Sequence, residues 1–383
     1  MTSIFKNVPE PFEPKLLPFD LKDIITDIEI INLMTEASNL LGEYKGFLIS
    51  TPNPMLLISP LLAQEAVISS KLEGTHATLE DFLNFEAGVK TEIQKDELKE
   101  ISNYREALYF ALERMITLDE IDAQEFDNKL PLISRLIKEM HKILLNNVRG
   151  KTKNPGEFKR FQNYIGGSEG ISYTPVSPSK TEQYMKNLED YIHLEEKLIL
   201  IQSAIIHAQF EMIHPFEDGN GRIGRLLIPL FFYYKNYLPF PTFYMSSYFE
   251  KNKSMYLEKL EGISKNNDWK SWIEYYLKGI CEQAKLNTKK AFLLRKEYLE
   301  MKELILKSIS SKFIIYFLDF IFIKPIFQST HVGEYFQSKG IKIGKTTVQK
   351  LLGELVELKI LNTSDNKRNK IYYCPSILLN TGK

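Results

Sequence analysis

Apolar residues recur at helical spacing along most of this chain, and short alternating stretches interrupt them in two places. Residues 1–19 carry Pro9, Pro11, Pro14 and Pro18, which forbid a helix and predict an extended arm lying on the body. From Asp20, the positions Ile24, Ile25, Ile28 and Ile31 predict a helix with a core-facing stripe, closed by the glycines from Gly42 to Gly46. Pro52 and Pro54 mark a loop. Ser59-Pro60 then reads as an N-cap and first-turn proline opening a helix that carries Leu61, Leu62, Glu65, Ala66, Ile68 and Leu72 and ends near Gly74. Thr78 caps a short helix over 79–88, with Glu80 and Asp81 in its first turn, and longer helices follow at about 96–117 and 129–147.

Between Asn154 and Pro178 the helical period is lost, and short alternating pieces around Gly166-Gly167 predict a β-hairpin. Residues 180–196 and 198–213 resume it, and the second of these helices delivers His214 at its end. A further helix holds Pro229, which should kink it or end it early. After a turn at Leu238 to Pro241, a helical run from Ser246 carries Tyr248, Asn252, Tyr256 and Leu260. Trp269, Trp272 and Tyr275 to Leu277 belong to a core helix, and a separate charged helix spans about 280–308. Three more helices (313–320, 330–337, 345–358) precede an alternating segment from Ile360 to Cys374 around Ser364-Asp365-Asn366-Lys367.

The densest chemistry lies where helix 198–213 ends: His214-Pro-Phe-Glu-Asp-Gly-Asn-Gly-Arg-Ile-Gly-Arg225, running into Leu226, Leu227 and Ile228. Gly219 and Gly221 allow the amides from Gly219 to Arg222 to face one concavity, an anion nest. A helix starting at about Arg222 adds its unpaired first-turn N–H groups and positive dipole end. Arg222 and Arg225, three apart, project two guanidinium forks toward the nest. Asp218 offers a hard carboxylate beside phosphates, the way Mg²⁺ is held through one or two acids plus phosphate oxygens. His214, with an ordinary pKa of roughly 6.5, is the natural proton acceptor. His76, His141, His193, His207 and His331 read as structural histidines.

Composition narrows the partners. Lys plus Arg equals Asp plus Glu at 49 each, so no global field recruits nucleic acid or membrane. Two cysteines, Cys281 and Cys374, lack metal-ligand spacing and make no disulfide framework. The first ten residues lack the blocks of a secretory signal, so a cytoplasmic setting is expected. The apolar run from Phe313 to Phe327 is interrupted by Asp319, Lys324 and Pro325 and is too short to span a bilayer.

The string from His214 to Arg225 resembles the signature of the Fic family, also called the Fido fold, His-x-Phe-x-Asp/Glu-Gly-Asn-Gly-Arg-x-x-Arg, with every defined position filled. The resemblance implies a mainly α protein whose helical core carries a short β-hairpin flap and transfers AMP from ATP to a protein hydroxyl, releasing pyrophosphate. It makes His214 the general base and Asp218 the Mg²⁺ ligand. Gly219, Asn220, Gly221, Arg222, Ile223, Gly224 and Arg225 become the ATP and phosphate segment, with Arg225 on the γ-phosphate, and Phe216 packs inward to fix the loop. Tyr256 is a candidate to stack on the base. The turn Ser69-Ser70-Lys71-Leu72-Glu73-Gly74 fits the Ser/Thr-x-x-x-Glu-Gly/Asn inhibitory pattern of similar proteins, in which the matching Glu pairs with the second motif arginine, here Arg225. A carboxylate there takes the place of the phosphate and repels its charge. Phe158, Gln162, Tyr164 and Ile165 would be the upstream arm of the flap, which registers a target segment as an added strand.

The three last helices and the hairpin resemble a winged helix. Residues 329–383 hold nine Lys or Arg against four Asp or Glu, with Lys367, Arg368 and Lys370 at the wing tip, but the expected recognition helix carries Glu354 and Glu357 and no Arg. The expected organisation is an N-terminal helical region over 1–100 with the inhibitory helix at about 60–74, a catalytic core over 101–290, and a connecting helix with the winged-helix-like domain over 291–383. The expected activity is adenylyl transfer to a Ser, Thr or Tyr hydroxyl with ATP and Mg²⁺, restrained by Glu73. Removal of AMP at the same site, with Glu73 aligning a water, and a DNA-binding regulator with a nucleotide-sensing core are the alternatives. Similar proteins commonly modify themselves between protomers, and the sequence leaves open whether this chain forms a homodimer.

Overall fold

The computed structural model describes residues 9–51, 54–115, 117, 130–167, 170–364 and 370–382. Helices dominate, and the chain divides into two compact units. One comprises Met1–Lys45, Ile68–Gly74 and Ser102–Lys285; the other comprises Gly46–Val67, Thr75–Ile101 and Leu286–Lys383.

The first unit is built around the helix Ile199–Ile213, which is apolar on nearly every side and buried along its length, as a helix without a polar face must be. Two of its polar members bond within the unit: Gln202 Nε2 donates to Tyr191 O at 2.7 Å, and Ser203 Oγ and Tyr276 OH lie 2.8 Å apart. Pro178–His193 and Asn220–Tyr234 pack against it. Trp272, fully buried, donates its indole N–H to Ala204 O at 2.9 Å. The hairpin is short: β1 (Ile165–Gly167) pairs antiparallel with β2 (Gly170–Tyr173), and Tyr173 OH donates to Met212 O at 2.9 Å, tying the second strand to the central helix. The proline-bearing arm contains no helix over residues 9–19, and the Phe12 N–H donates to Thr174 O at 2.8 Å.

In the second unit, Thr78 caps Leu79–Glu86 through a capping box with Asp81, and Leu83 and Ala87 pack on Ile326. A three-stranded antiparallel sheet has the order β3 (Ile326–Gln328), β5 (Ile371–Tyr373), β4 (Asn362–Thr363). The helices Ile314–Ile323, Ser329–Ser338, Lys345–Glu357 and Pro375–Gly382 accompany it. Lys367 and Arg368, the expected wing tip, lie outside the described residues, as does Pro52. Among the described residues, no helix is long and apolar enough to cross a membrane.

Several boundaries differ from the periodicity. Ile24 and Ile25 sit in a separate turn, Lys22–Ile25, and the next helix, Ile28–Ile49, runs straight through Gly42 and Gly46. Its buried stripe is Ile30, Ala37, Leu41, Tyr44 and Leu48, whereas Ile28 is 67% exposed. Each mid-helix glycine costs about 1 kcal/mol relative to alanine, which burial of this stripe outweighs. The helix expected to open at Ser59 begins at Met55 and carries Pro60 inside, and Ser59 Oγ donates to Ile323 O at 3.1 Å instead of capping. Pro229 does not end its helix either, which reaches Tyr234. The core helix and the charged helix that follows are one, Trp269–Ser308.

Candidate functional site

His214 ends the central helix in the left-handed region, at φ 48° and ψ 62°, a conformation that costs a side-chained residue about 1–2 kcal/mol. It is held there by a clamp on the four carbonyls around it. Lys159 Nζ donates to Ile213 O at 3.0 Å and the Lys159 N–H to Pro215 O at 2.8 Å. Asn163 Nδ2 donates to His214 O at 3.1 Å and to Phe216 O at 2.9 Å. Asn220 closes the loop from the other side, accepting from the Phe216 N–H and donating to Phe216 O, both at 2.8 Å. Phe216 is fully buried and stacks on His141 with ring centres 3.8 Å apart. His141 Nδ1 accepts from the Gly156 N–H, so Nε2 carries the proton it donates to Asp218 O, both at 2.9 Å. Replacing Asn163 with alanine removes its bond to His214 O and leaves Phe216 O with Asn220 as donor. The expected result is a loss of about 1–3 kcal/mol of stability, measured by denaturant unfolding.

The loop turns into the helix Asn220–Tyr234 through Gly219 at φ 79°. That start is two residues earlier than the pattern suggests. Asp218 Oδ1 accepts from the Gly219 N–H at 2.6 Å and lies 3.6 Å from Arg222 Nη2, so its carboxylate is fixed at the positive end of the helix. Arg225 is buried, and its fork is fully engaged on one edge: Nε donates to Ser69 Oγ at 2.8 Å, while Nη2 donates to Ser69 O at 2.9 Å and to Glu73 Oε1 at 2.8 Å. Gly221 admits this pair, since a Cβ there would overlap Glu73 Oε1. The end of the Met55–Leu72 helix is held by cations on its last carbonyls: Lys253 Nζ donates to Leu72 O at 2.8 Å and Arg149 Nη2 to Glu73 O at 3.3 Å. Gly74 then turns the chain at φ 97°.

These groups wall a cavity of about 810 Å³, and Glu73, His214, Asp218, Gly219, Asn220, Gly221 and Arg225 all line it. Its hairpin side is formed by Tyr164, Ile165 and Gly166. Tyr256 lines it too, but is only 6% exposed, with its hydroxyl 3.0 Å from His207 Nε2 and its ring stacked on Phe249. Arg222, Ile223, Gly224, Ser69 and Gly74 are not on the wall. Ile223 is fully buried, and Gly224 O accepts from His207 Nδ1 at 3.1 Å. Sequence reasoning missed Lys159, Asn163 and Glu211. Glu211, an acid inside an otherwise apolar buried helix, was the one with a visible signal.

Burial dominates the electrostatics. It drives His214 down to about 4, helped by the Lys159 charge, and pushes Glu211 up to about 7. Lys159 falls to about 7 for the same reason. Burial pulls Glu73 upward, but the Arg225 charge and hydrogen bond outweigh it, and the carboxyl ends below its ordinary value. His141 is lowered to about 4 and His207 to about 3, again by burial. Between pH 5 and 6.5 the unfolded chain therefore binds protons on three histidines that the folded chain leaves neutral, while folded Glu211 holds one that the unfolded chain releases. Stability is thus expected to fall as pH drops through that window, with a slope that steepens to about 3 kcal/mol per pH unit near pH 5, where the net uptake reaches about two protons. Urea midpoints at a series of pH values check both sign and slope.

Residues 31–113 match the model of the Fic/DOC family N-terminal region, and residues 131–232 match the Fic/DOC family model. Protein adenylyltransferase fic-1 of Caenorhabditis elegans is 35% identical over 97 residues, 24% of this chain and 18% of that relative. A probable protein adenylyltransferase of Aquifex aeolicus is 35% identical over 60 residues, 15% of this chain and 19% of that relative. The matched stretch is thus about a fifth of the curated relatives' length. The crystal structure of a Fic family protein from Desulfovibrio desulfuricans has the same fold, with a TM-score of 0.58 over 95% of this chain and 98% of that one at 18% identity.

Proposed function

We propose that this chain, which carries a Fic/DOC N-terminal region and a Fic/DOC domain, is a protein adenylyltransferase that moves AMP from ATP to a Ser, Thr or Tyr hydroxyl. The observation that carries the reading is the convergence of His214, Asp218, the start of the Asn220–Tyr234 helix and Arg225 on one cavity. The target oxygen bonds to the α-phosphorus, the bond from that phosphorus to the bridging oxygen breaks, and pyrophosphate leaves. The hydroxyl proton goes to His214. Its Nδ1 lies 3.3 Å from Glu211 O, a backbone acceptor, so Nδ1 carries the hydrogen and Nε2 is the free base. The helix start and its dipole receive the phosphates, with Gly219, Asn220 and Gly221 as the cradle. Arg225, once Glu73 has left it, takes the γ-phosphate.

Magnesium fits Asp218. The side chain is one-third exposed on the cavity wall, and among the described residues no group of three or more His, Cys, Asp or Glu could hold a metal alone. One acid plus phosphate oxygens suits an ion that arrives with the nucleotide, and bound there it would neutralise phosphate charge. The target enters along β1, beside Tyr164 and Ile165, and adds to the hairpin as a strand. A cytoplasmic setting suits ATP as the donor.

Intact-mass analysis after incubation with ATP and Mg²⁺ tests the reading. The expected result is an added AMP on the protein, stronger when Glu73 is removed and strongly reduced in His214→Ala. No adduct on the protein or on any offered target, with or without Glu73, sinks it. Removal of AMP is the second reading, favoured by the one-third exposure of the Glu73 carboxylate on the cavity wall, where it could align a water. Release of AMP from a pre-modified protein by the wild-type chain, lost in Glu73→Gln, would select it.

A further inference from the structure

We infer that Glu211 is a positioning residue for His214, its carboxylate orienting the imidazole and balancing the positive charge the ring gains on taking the target's proton. The inference rests on the adenylyl-transfer reading and adds a residue to it. Glu211 and His214 lie three apart on the central helix and its cap, and Glu211 Oε2 sits 3.8 Å from His214 Nδ1. The Glu211 carbonyl is nearer still, at 3.3 Å, so one residue addresses the same ring nitrogen through backbone and side chain. The backbone carbonyl holds the Nδ1–H and the carboxylate stands beside it as a charge partner, comparable to the acid that supports a base activating a hydroxyl nucleophile elsewhere.

The carboxyl is placed there at a cost. Oε1 is buried and has no hydrogen-bond partner, although the residue lines the cavity. Its slot exists because residue 224 is glycine: a Cβ on Gly224 would overlap Glu211 Oε1. The charged and titratable groups facing it are Arg225 from the next helix, Glu73 from the end of Met55–Leu72, Tyr256 from Lys253–Asn266, and His214 itself. Lys159 approaches His214 from the loop behind and disfavours the imidazolium. Burial alone would leave His214 a weak proton acceptor. An ionised Glu211 opposes both effects, because moving the proton onto the ring then forms a pair and not an isolated buried cation. Burial sets Glu211 at about 7, with Arg225 lowering it and Glu73 raising it, so the acid is switched on across neutral pH.

The test compares wild type with Glu211→Gln, both on a Glu73→Gly background, by kcat against pH and by NMR titration of the His214 ring. On that background the kcat of the chain with Glu211 is expected to rise with pH through a midpoint below about 7, because Glu73 no longer raises the carboxyl. Glu211→Gln should lower the plateau by about tenfold to a hundredfold, flatten that rise, leave KM for ATP within about twofold, and lower the imidazole pKa. Glu211→Asp should restore part of the plateau. If Glu211→Gln does not fold, Gly224→Ala displaces the carboxyl while keeping it, and the same flattening is expected. An unchanged plateau and pH profile in a folded variant, while His214→Ala is inactive, overturns the role of Glu211. No labelling by the Glu73→Gly parent overturns the adenylyl-transfer reading instead, and full labelling by His214→Ala removes the proposed base.

Discussion

Replacing His214 with alanine is expected to lower AMP transfer by about 10²- to 10⁴-fold, the span of general-base contributions, with ATP affinity almost unchanged. The two halves of that outcome have separate structural causes. The imidazole is the group offered for the hydroxyl proton. The groups offered for the phosphates, at the start of Asn220–Tyr234 and at Arg225, make none of their described bonds to the ring. The loop should survive as well, since the clamp from Lys159 and Asn163 holds backbone carbonyls and not the His214 side chain. Transfer measured with labelled ATP, alongside ATP binding by calorimetry, separates loss of a base from loss of a site. Full transfer by a folded His214→Ala chain would remove the proposed base, and loss of ATP binding would make the ring a binding group.

What could be read from the chain before folding follows the distance over which each contact acts. From His214 to Arg225 the chemistry is contiguous, so glycines, acid and arginines declare themselves by type and spacing. Glu73 was reachable through the resemblance, whose Ser/Thr-x-x-x-Glu-Gly/Asn pattern pairs the acid with the second motif arginine, and the side chains of Ser69 and Glu73 both meet Arg225. Lys159 and Asn163 were hidden for the opposite reason: they act on carbonyls more than fifty residues away, and a carbonyl carries no trace of its partner in the residue type. Glu211 lay within an apolar helical run where period, not exception, drew attention. The misplaced boundaries share one cause as well. Gly42, Gly46, Pro60 and Pro229 disfavour helix locally, and each sits inside one here because packing of the neighbouring positions outweighs a local penalty of about 1–3 kcal/mol.

Substituting glycine for Glu73 is expected to raise AMP transfer by about 10²- to 10³-fold while making the protein less stable, and the opposite signs are what identify the contact as a restraint. Arg225 spends its bonds on Ser69 and Glu73, and the Glu73 oxygen lies 2.8 Å from the nitrogen a γ-phosphate would need. Carboxylate and phosphate cannot both use that edge. Two unit charges about 4 Å apart near a protein surface repel by about 4 kcal/mol at an effective dielectric of 20, enough to exclude the productive pose nearly a thousandfold. Removing the carboxylate abolishes that repulsion, and Arg225 keeps its two bonds to Ser69, so the fork stays aimed at the cavity. The stability cost, about 1–3 kcal/mol, sits below the full value for a buried pair because the Glu73 side chain is one-third exposed. Glu73→Gln should fall between the two, since it retains a hydrogen-bond acceptor for Arg225 but not the charge that opposes phosphate. Initial rates with labelled ATP and thermal midpoints on the same three proteins decide the matter. A Glu73→Gly chain that is less stable and no faster would show that the Glu73–Arg225 pair serves the fold and not the reaction.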